Sequence, residues 1–205
     1  FGSIFLVGMG FSIIMPVLPY YAEALGANGF QLGLLITVYA VCQFIFAPIW
    51  GAYSDRVGRK PLLLIGISGY AFTFLLFGFA TELWMLYLIR AVGGSLSCAT
   101  LPTAMAYVAD STSLDKRGGA MGMIGAAMGM GMVFGPAVGG LMSQISLAFP
   151  FVFAGILGLI NTVAIWLLLK ESLPLENRVN KQVKIERASL LEGLRSPLVV
   201  FFLVI

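Results

Sequence analysis

The residues Gly51-Ala52-Tyr53-Ser54-Asp55-Arg56-Val57-Gly58-Arg59-Lys60-Pro61 form a hydrophilic segment between two long apolar runs, residues 31–49 and 62–80. Unpaired backbone groups and charges are not tolerated in hydrocarbon, so a polar hairpin between two membrane-length segments is forced to the bilayer surface. Its basic side chains, Arg56, Arg59 and Lys60, predict a cytoplasmic position by the positive-inside rule.

The whole chain has the composition of an integral membrane protein. It is 60% hydrophobic and 10% charged, with a mean hydropathy of +0.98. Soluble domains carry about 25% charged residues, and a membrane span needs about 20 apolar residues. We count six such spans, at residues 4–21, 31–49, 62–80, 83–108, 118–142 and 149–169, and the beginning of a seventh. The predicted fold class is an all-α polytopic membrane protein.

Several functional classes are excluded by what the sequence lacks. Without histidine there is no Ser-His-Asp or Cys-His arrangement, and no Gly-rich phosphate loop is present. Cys42 and Cys98 lie inside predicted spans and have no metal-ligand spacing. No basic face exists outside the loops, so nucleic-acid binding is not expected. We expect a protein that is not an enzyme and holds no metal or organic cofactor.

The distribution of charge predicts the topology. Eleven of the twelve Lys and Arg residues lie in three segments, around residues 56–60, 116–117 and 170–195, whereas the intervening loops carry only Glu23 and Glu82. The N-terminus and the last of these segments are therefore expected in the cytoplasm. We predict a six-helix bundle over residues 1–169, a cytoplasmic linker over 170–196 that includes a short surface helix at 189–194, and the start of a second bundle over 197–205. Both chain ends lie in apolar runs, so we expect a piece of a longer protein.

Arg90 is the only basic residue placed inside a predicted span. A charge at mid-bilayer costs about 2.5–3.5 kcal/mol on insertion scales, so such a residue is expected to face protein or a water-filled cavity and to carry function. The alternative is snorkelling to the outer surface, because Arg90 lies only about two turns after Glu82. Tyr39 and Gln43 share a face of the second span. They either bond a neighbouring helix or line a cavity.

Smaller groups of residues support further predictions. Asp55 and Arg59 are four residues apart and pair if the segment is helical. Gly51 is expected to permit close helix approach, Gly58 a tight turn, and Pro61 suits a first helical turn. Pro16 and Pro19 are expected to kink or loosen the end of the first helix. In the third span, the polar residues are assigned to packing: Ser68, Tyr70 and Thr73.

The fifth span is rich in glycine and methionine. Gly131, Gly135 and Gly139 repeat every four residues and form a smooth face for close helix contact. Pro136 adds a kink, and Gly140 extends the pattern. The flexible methionines between residues 121 and 132 indicate either an adaptable hydrophobic site or core gap filling.

Four of these patterns resemble sequence signatures of the major facilitator superfamily. The pattern G-x-x-x-D-R-x-G-R-K at 51–60 resembles the loop between helices 2 and 3, and R-x-x-G-G at 90–94 resembles the fourth-helix arginine signature, with Gly93 where glutamine is frequent. The glycine pattern at 131–140 and the run Gly10–Pro19 resemble helices 5 and 1 of drug–proton antiporters. The resemblance implies a major facilitator fold, with an N-terminal six-helix bundle made of two inverted three-helix repeats and the start of helix 7.

The sequence around residues 9–19, 39–48 and 83–90 is similar to that of bacterial tetracycline efflux proteins. Those carriers have acidic residues in helices 1 and 3 where this chain aligns Val7 and Thr73, so a broader hydrophobic-drug exporter is an equal alternative. An importer of sugars or metabolites, a membrane-embedded enzyme or lipid-handling protein, and a non-transporting membrane protein of the same fold are further alternatives.

The resemblance also implies a mechanism, namely export of a hydrophobic or cationic substrate by proton antiport with alternating access in the bacterial plasma membrane. Arg90, Gln43 and Tyr39 would line the cavity, and Asp110, which closes the fourth helix, would join Asp55 and Arg59 in a relay that latches the cytoplasmic side. A proton gradient supplies the energy, and the proton-binding carboxylate is expected beyond the six spans. We expect a monomer whose other partners are protons and lipid.

Overall fold

The computed structural model describes residues 1–173, which contain seven α-helices and no β-strand. Six helical segments are long and apolar enough to cross a membrane, as predicted, since α4 and α5 together form the fourth. The predicted surface helix at 189–194 and the start of a second bundle at 197–205 lie outside the described residues. The helices are α1 (Gly2–Ala24), α2 (Gly29–Val57), α3 (Arg59–Gly78), α4 (Leu83–Ser97), α5 (Thr100–Ser111), α6 (Leu114–Ser143) and α7 (Phe149–Leu168).

The packing of the helices repeats between the first three spans and the last three. Helix α1 packs most extensively on α6, α2 packs on α4, and α3 packs on α7. Because α4 and α5 form one span, these contacts join spans 1 and 5, 2 and 4, and 3 and 6. Exchanging span 1 with 4, 2 with 5 and 3 with 6 turns the first contact into the second and leaves the third unchanged. This is the arrangement expected of two equivalent three-helix repeats. The repeat is therefore visible in the packing although the sequence does not show it.

The polar stretch at residues 51–61 is mostly helical, so its prediction as a loop was wrong. Helix α2 continues to Val57 and α3 begins at Arg59, which leaves Gly58 as the connection. Gly58 has φ 117°, a conformation that glycine adopts without steric cost. A helix satisfies its own backbone hydrogen bonds, so α2 and α3 continue through the polar residues without a loop. A Cβ at Gly51 would meet open space within the described structure, so no helix among residues 1–173 approaches closely there.

The fourth span is interrupted, whereas the sequence predicts one helix over residues 83–108. Helix α4 ends at Ser97 and α5 starts at Thr100. Pro102 explains the break, because its ring meets the carbonyl of the residue four earlier and it has no N–H to donate. The Ala99 N–H bonds the Leu96 carbonyl at 3.3 Å. The Ser95 carbonyl instead accepts the Trp50 indole N–H from α2 at 2.5 Å, so Trp50 ties α2 to the break.

Trp50→Phe is expected to lower thermal stability in detergent by about 2 °C. The change keeps an aromatic ring but removes the donor to Ser95, and a lost hydrogen bond of this kind costs about 1 kcal/mol. The matched control is Tyr53→Phe, because Tyr53 packs edge-on against Trp50 and its hydroxyl makes no hydrogen bond within residues 1–173. Equal melting temperatures for the two variants would show that the Trp50 bond does not stabilise the break.

Two further helices, α1 and α6, are longer than predicted. Helix α1 continues through Pro16 and Pro19 to Ala24, so the prolines do not end it. Its last turns are held by the Tyr21 hydroxyl, which lies 2.7 Å and 2.8 Å from two carbonyls at the end of α3. Helix α6 begins at Leu114 rather than 118, which places Asp115 in its first turn, where a negative charge is favourable.

The glycine face of α6 lies directly against α1. A Cβ on Gly131 would lie 2.5 Å from the Phe5 carbonyl oxygen, and one on Gly139 would lie 3.1 Å from the Ile13 carbonyl oxygen. The Ser12 hydroxyl donates across the same contact to the Gly131 carbonyl at 3.1 Å. Pro136 and Gly140 lie off this face and are exposed in the described structure.

Candidate functional site

Arg90 lies inside the bundle, between two aromatic rings. Its side chain is on α4, and the residue is 6% exposed. The guanidinium carbon lies 5.3 Å from the centre of the Tyr39 ring and 5.4 Å from that of Phe77, both within cation–π range. Within residues 1–173 it has no ion pair. This geometry excludes snorkelling to the surface, and the charge is instead held by the faces of two rings.

A cavity of about 240 Å³ adjoins Arg90 between α1, α2 and α4. It brings together the three residues predicted to line a cavity, Arg90, Tyr39 and Gln43, and it includes Pro19 but not Pro16. The rest of its wall is apolar, mainly side chains of α1 and α2. Gln43 is exposed and its amide makes no hydrogen bond to another described residue. Such a site, apolar with few convergent polar groups, is typical of small-molecule binding.

A second cluster, at the end of the bundle that carries Arg56, is centred on Arg59. The Arg59 Nη1 donates to Asp55 Oδ1 at 2.6 Å and to Ser54 Oγ at 2.9 Å, and its Nε donates to Asp110 Oδ2 at 2.9 Å. The buried guanidinium therefore joins the ends of α2, α3 and α5. The structure places Asp55, Arg59 and Asp110 together and adds Ser54. Arg56 is exposed and takes no part.

Helices α3 and α7 are joined at the same end by two reciprocal contacts. The Glu171 carboxylate accepts the backbone N–H groups of Arg59 and Lys60 at 2.8 Å and 3.3 Å. The Lys60 ammonium donates to the Trp166 carbonyl at 2.8 Å, near the end of α7. Free N–H groups at the start of a helix and free carbonyls at its end need such partners. Sequence reasoning missed Glu171. The only feature that could have indicated its role is its position as an acidic residue just after an apolar span.

A sequence model described as the Major Facilitator Superfamily matches residues 1–205. The chain belongs to the major facilitator superfamily. It is 40% identical to the class D tetracycline resistance protein of Salmonella ordonez, over 96% of this chain and 52% of that protein. It is 35% identical to multidrug resistance protein 2 of Bacillus subtilis (strain 168), over 86% of this chain and 44% of that protein. The chain thus spans about half the length of the curated relatives it matches.

A comparison with solved structures gives the same family. The crystal structure of the human organic anion transporter MFSD10 superposes with a TM-score of 0.75 at 26% identity, covering 86% of this chain and 47% of that chain. The predicted facilitator fold and the resemblance to bacterial tetracycline and multidrug efflux proteins are both confirmed. The chain is therefore a multi-pass membrane protein of a transporter superfamily.

In this facilitator half, the glycine of the fourth-helix pattern that matters sterically is Gly94. A Cβ there would lie 2.6 Å from the Tyr39 carbonyl oxygen. Gly94 therefore lets α4 approach α2 at Tyr39, one turn from Arg90, and so sets the ring beside the guanidinium. Gly93 faces Thr73, where a Cβ would lie 3.4 Å from the Thr73 hydroxyl oxygen, so this position is less restrictive.

Proposed function

We propose that the chain is the N-terminal half of a secondary transporter that exports small hydrophobic or cationic molecules by proton antiport with alternating access. The observation that carries the proposal is the Arg90 charge, buried without a carboxylate partner in residues 1–173 beside a mostly apolar cavity. An intramembrane charge of this kind is expected to act on a substrate or a coupling ion. The tetracycline and multidrug resistance relatives support export over import.

The roles of the cavity residues follow from their chemistry. The apolar wall takes the body of the substrate, Gln43 offers a hydrogen bond, and Tyr39 holds Arg90 in place. Within residues 1–173 the carboxylates lie at or beyond the ends of the helices. The proposal therefore requires a proton-binding carboxylate in the remainder of the protein, with the proton gradient as the energy source.

The Arg59 cluster is proposed to latch one end of the bundle. By the positive-inside rule this end faces the cytoplasm, in a bacterial inner membrane, together with the N-terminus and the segment after α7. The latch would close the cytoplasmic side in the outward-open state. The glycine contact between α1 and α6 would let these helices rock while excluding solvent, and a monomer is sufficient for this motion.

Asp110→Asn is expected to reduce transport more than Asp55→Asn. The Asp110 side chain is 27% exposed and that of Asp55 is 48% exposed, so the pair with Asp110 is the less screened. Exposed pairs are worth about 0–1 kcal/mol, whereas breaking a buried pair costs about 3–5 kcal/mol. We expect about 2 kcal/mol for Asp110, or about a 30-fold shift of the gating equilibrium, and at most a few-fold for Asp55.

The readout is gradient-driven dye efflux at equal amounts of membrane-inserted protein. Glu23→Gln is the matched control, because it removes an exposed carboxylate at the opposite end that forms no ion pair among the described residues. Wild-type rates in both Asp55→Asn and Asp110→Asn would contradict the latch.

The proposed function is tested with the full-length protein in proteoliposomes. A pH gradient is imposed, and efflux of a fluorescent lipophilic cation is followed, then that of tetracycline. Movement of the dye that requires the gradient would support drug–proton antiport, and the second substrate would show whether tetracycline is carried. Intact protein that moves neither would overturn the proposal in favour of metabolite transport.

A further inference from the structure

A second cavity, of about 120 Å³, adjoins the first and is lined by residues of α1, α2, α3, α6 and the break between α4 and α5. It shares Phe11, Tyr39 and Gln43 with the cavity beside Arg90. No charged residue contributes to its wall, which is otherwise aliphatic and aromatic. The polarity that is not shared with the first cavity comes from three hydroxyl groups, those of Tyr70, Ser97 and Thr100.

Two of the three hydroxyls are buried without a partner in the described structure. Tyr70 is 5% exposed and Thr100 is 3% exposed, and neither hydroxyl oxygen forms a hydrogen bond. Ser97 differs, because its hydroxyl donates to the Gly93 carbonyl at 2.6 Å and lies 3.1 Å from the Tyr39 hydroxyl. Buried hydroxyl groups in folded proteins are almost always hydrogen-bonded. The cavity is therefore expected to hold a group that bonds Tyr70 and Thr100.

The surrounding backbone leaves room for these hydroxyls. A Cβ on Gly10 of α1 would overlap the Tyr70 hydroxyl oxygen, and one on Gly66 of α3 would lie 2.5 Å from the Thr100 hydroxyl oxygen. The Tyr70 ring is fixed by Phe74, whose ring centre is 4.2 Å away. Both groups are thus held at the cavity in advance of binding, which lowers the entropy lost when a ligand bonds them.

We propose that this cavity is a hydrogen-bonding subsite for the transported molecule and takes an uncharged oxygen-bearing group, such as a carboxamide, ketone or hydroxyl. The inference rests on the proposed function. A water molecule takes about 30 Å³ of liquid volume, so the cavity fits such a group with its adjoining atoms but no complete drug. The body of the ligand would lie in the cavity beside Arg90, which the shared residues connect. A charged group is disfavoured because nothing on the wall would neutralise it.

The test compares two probes of equal charge, tetraphenylphosphonium and its analogue with one carboxamide on a phenyl ring. Dissociation constants are measured by equilibrium binding to the purified full-length protein, and gradient-driven transport is measured separately. Tyr70→Phe and Thr100→Val remove the hydroxyls with little change of shape. The matched control is Thr103→Val, because Thr103 is an equally buried threonine of α5 with an unpartnered hydroxyl that does not line the cavity.

We expect Tyr70→Phe and Thr100→Val each to weaken binding of the carboxamide probe about fivefold relative to tetraphenylphosphonium, as for the loss of one neutral hydrogen bond. Thr103→Val should leave this ratio unchanged. Equal effects on both probes, no effect, or an equal shift in Thr103→Val would overturn the subsite, as would failure of the wild-type protein to bind the carboxamide probe. Selective binding without gradient-driven transport would support the subsite and overturn the proposed function, so the two failures are distinguishable.

Discussion

Arg90→Ala is expected to reduce gradient-driven efflux of a lipophilic cation by at least about 30-fold while leaving the protein in the membrane. The substitution removes a cation held between the faces of Tyr39 and Phe77, and a desolvated cation–π contact is worth about 2 kcal/mol. It also removes the one charge that the described residues place beside the cavity of about 240 Å³. The loss should appear in the transport rate at equal amounts of inserted protein.

Two further variants separate charge from geometry at this site. Arg90→Lys keeps a positive charge but loses the planar group that stacks on both rings, so we expect it to recover only a small part of the activity. Tyr39→Phe keeps the ring face and removes only the hydrogen bond to Ser97, so it should transport at close to the wild-type rate. Full efflux activity in Arg90→Ala would exclude a coupling role for Arg90.

Gly135→Ala is expected to lower the amount of folded protein in the membrane severalfold. A Cβ on Gly135 would lie 2.5 Å from the Met9 carbonyl oxygen and would overlap the Ser12 hydroxyl. Backbone cannot move aside as a flexible side chain does, so α1 and α6 would have to separate along their whole contact. Overpacking of this kind costs about 1–3 kcal/mol. The measurements are membrane-inserted yield and thermal stability in detergent.

Gly129→Ala is the matched control on the same helix. A Cβ at Gly129 meets open space in the described structure, and alanine is the better helix former by about 0.5–1 kcal/mol. The two substitutions should therefore act in opposite directions. If Gly135→Ala were as stable as Gly129→Ala, the close contact between α1 and α6 would not be what holds these helices together.

The features that sequence reasoning predicted are those with a local signal. Six spans follow from apolar length, and a lone arginine inside one of them indicates a candidate functional position. The Asp55–Arg59 pairing was also predictable, since four residues separate them on helical backbone. The extent of α2 was not, because polar residues at the end of a span resemble a loop whether or not the helical hydrogen bonds continue. Pro102 is itself a sequence signal for the break. It lies in a long apolar run that otherwise predicts one continuous helix.

Other parts of the site depend on contacts between distant residues. Phe77 completes the cage around Arg90 from another helix, and Glu171 reaches Arg59 across 112 positions of sequence. Tyr70 was assigned to packing, and its burial is in keeping with that. Only the three-dimensional arrangement shows that its hydroxyl ends at a cavity without a partner among the described residues. A single sequence carries no information on such pairings.

The position of Glu171 decides where mechanical load enters the bundle. This residue follows the end of α7, yet it is fastened to the first backbone N–H groups of α3. A pull on the chain at Glu171 therefore acts on the first turn of α3 as well as on the end of α7. That turn carries Arg59 and its two ion pairs. Movement of the chain at Glu171 is thus transmitted directly to the helical turn that carries these ion pairs.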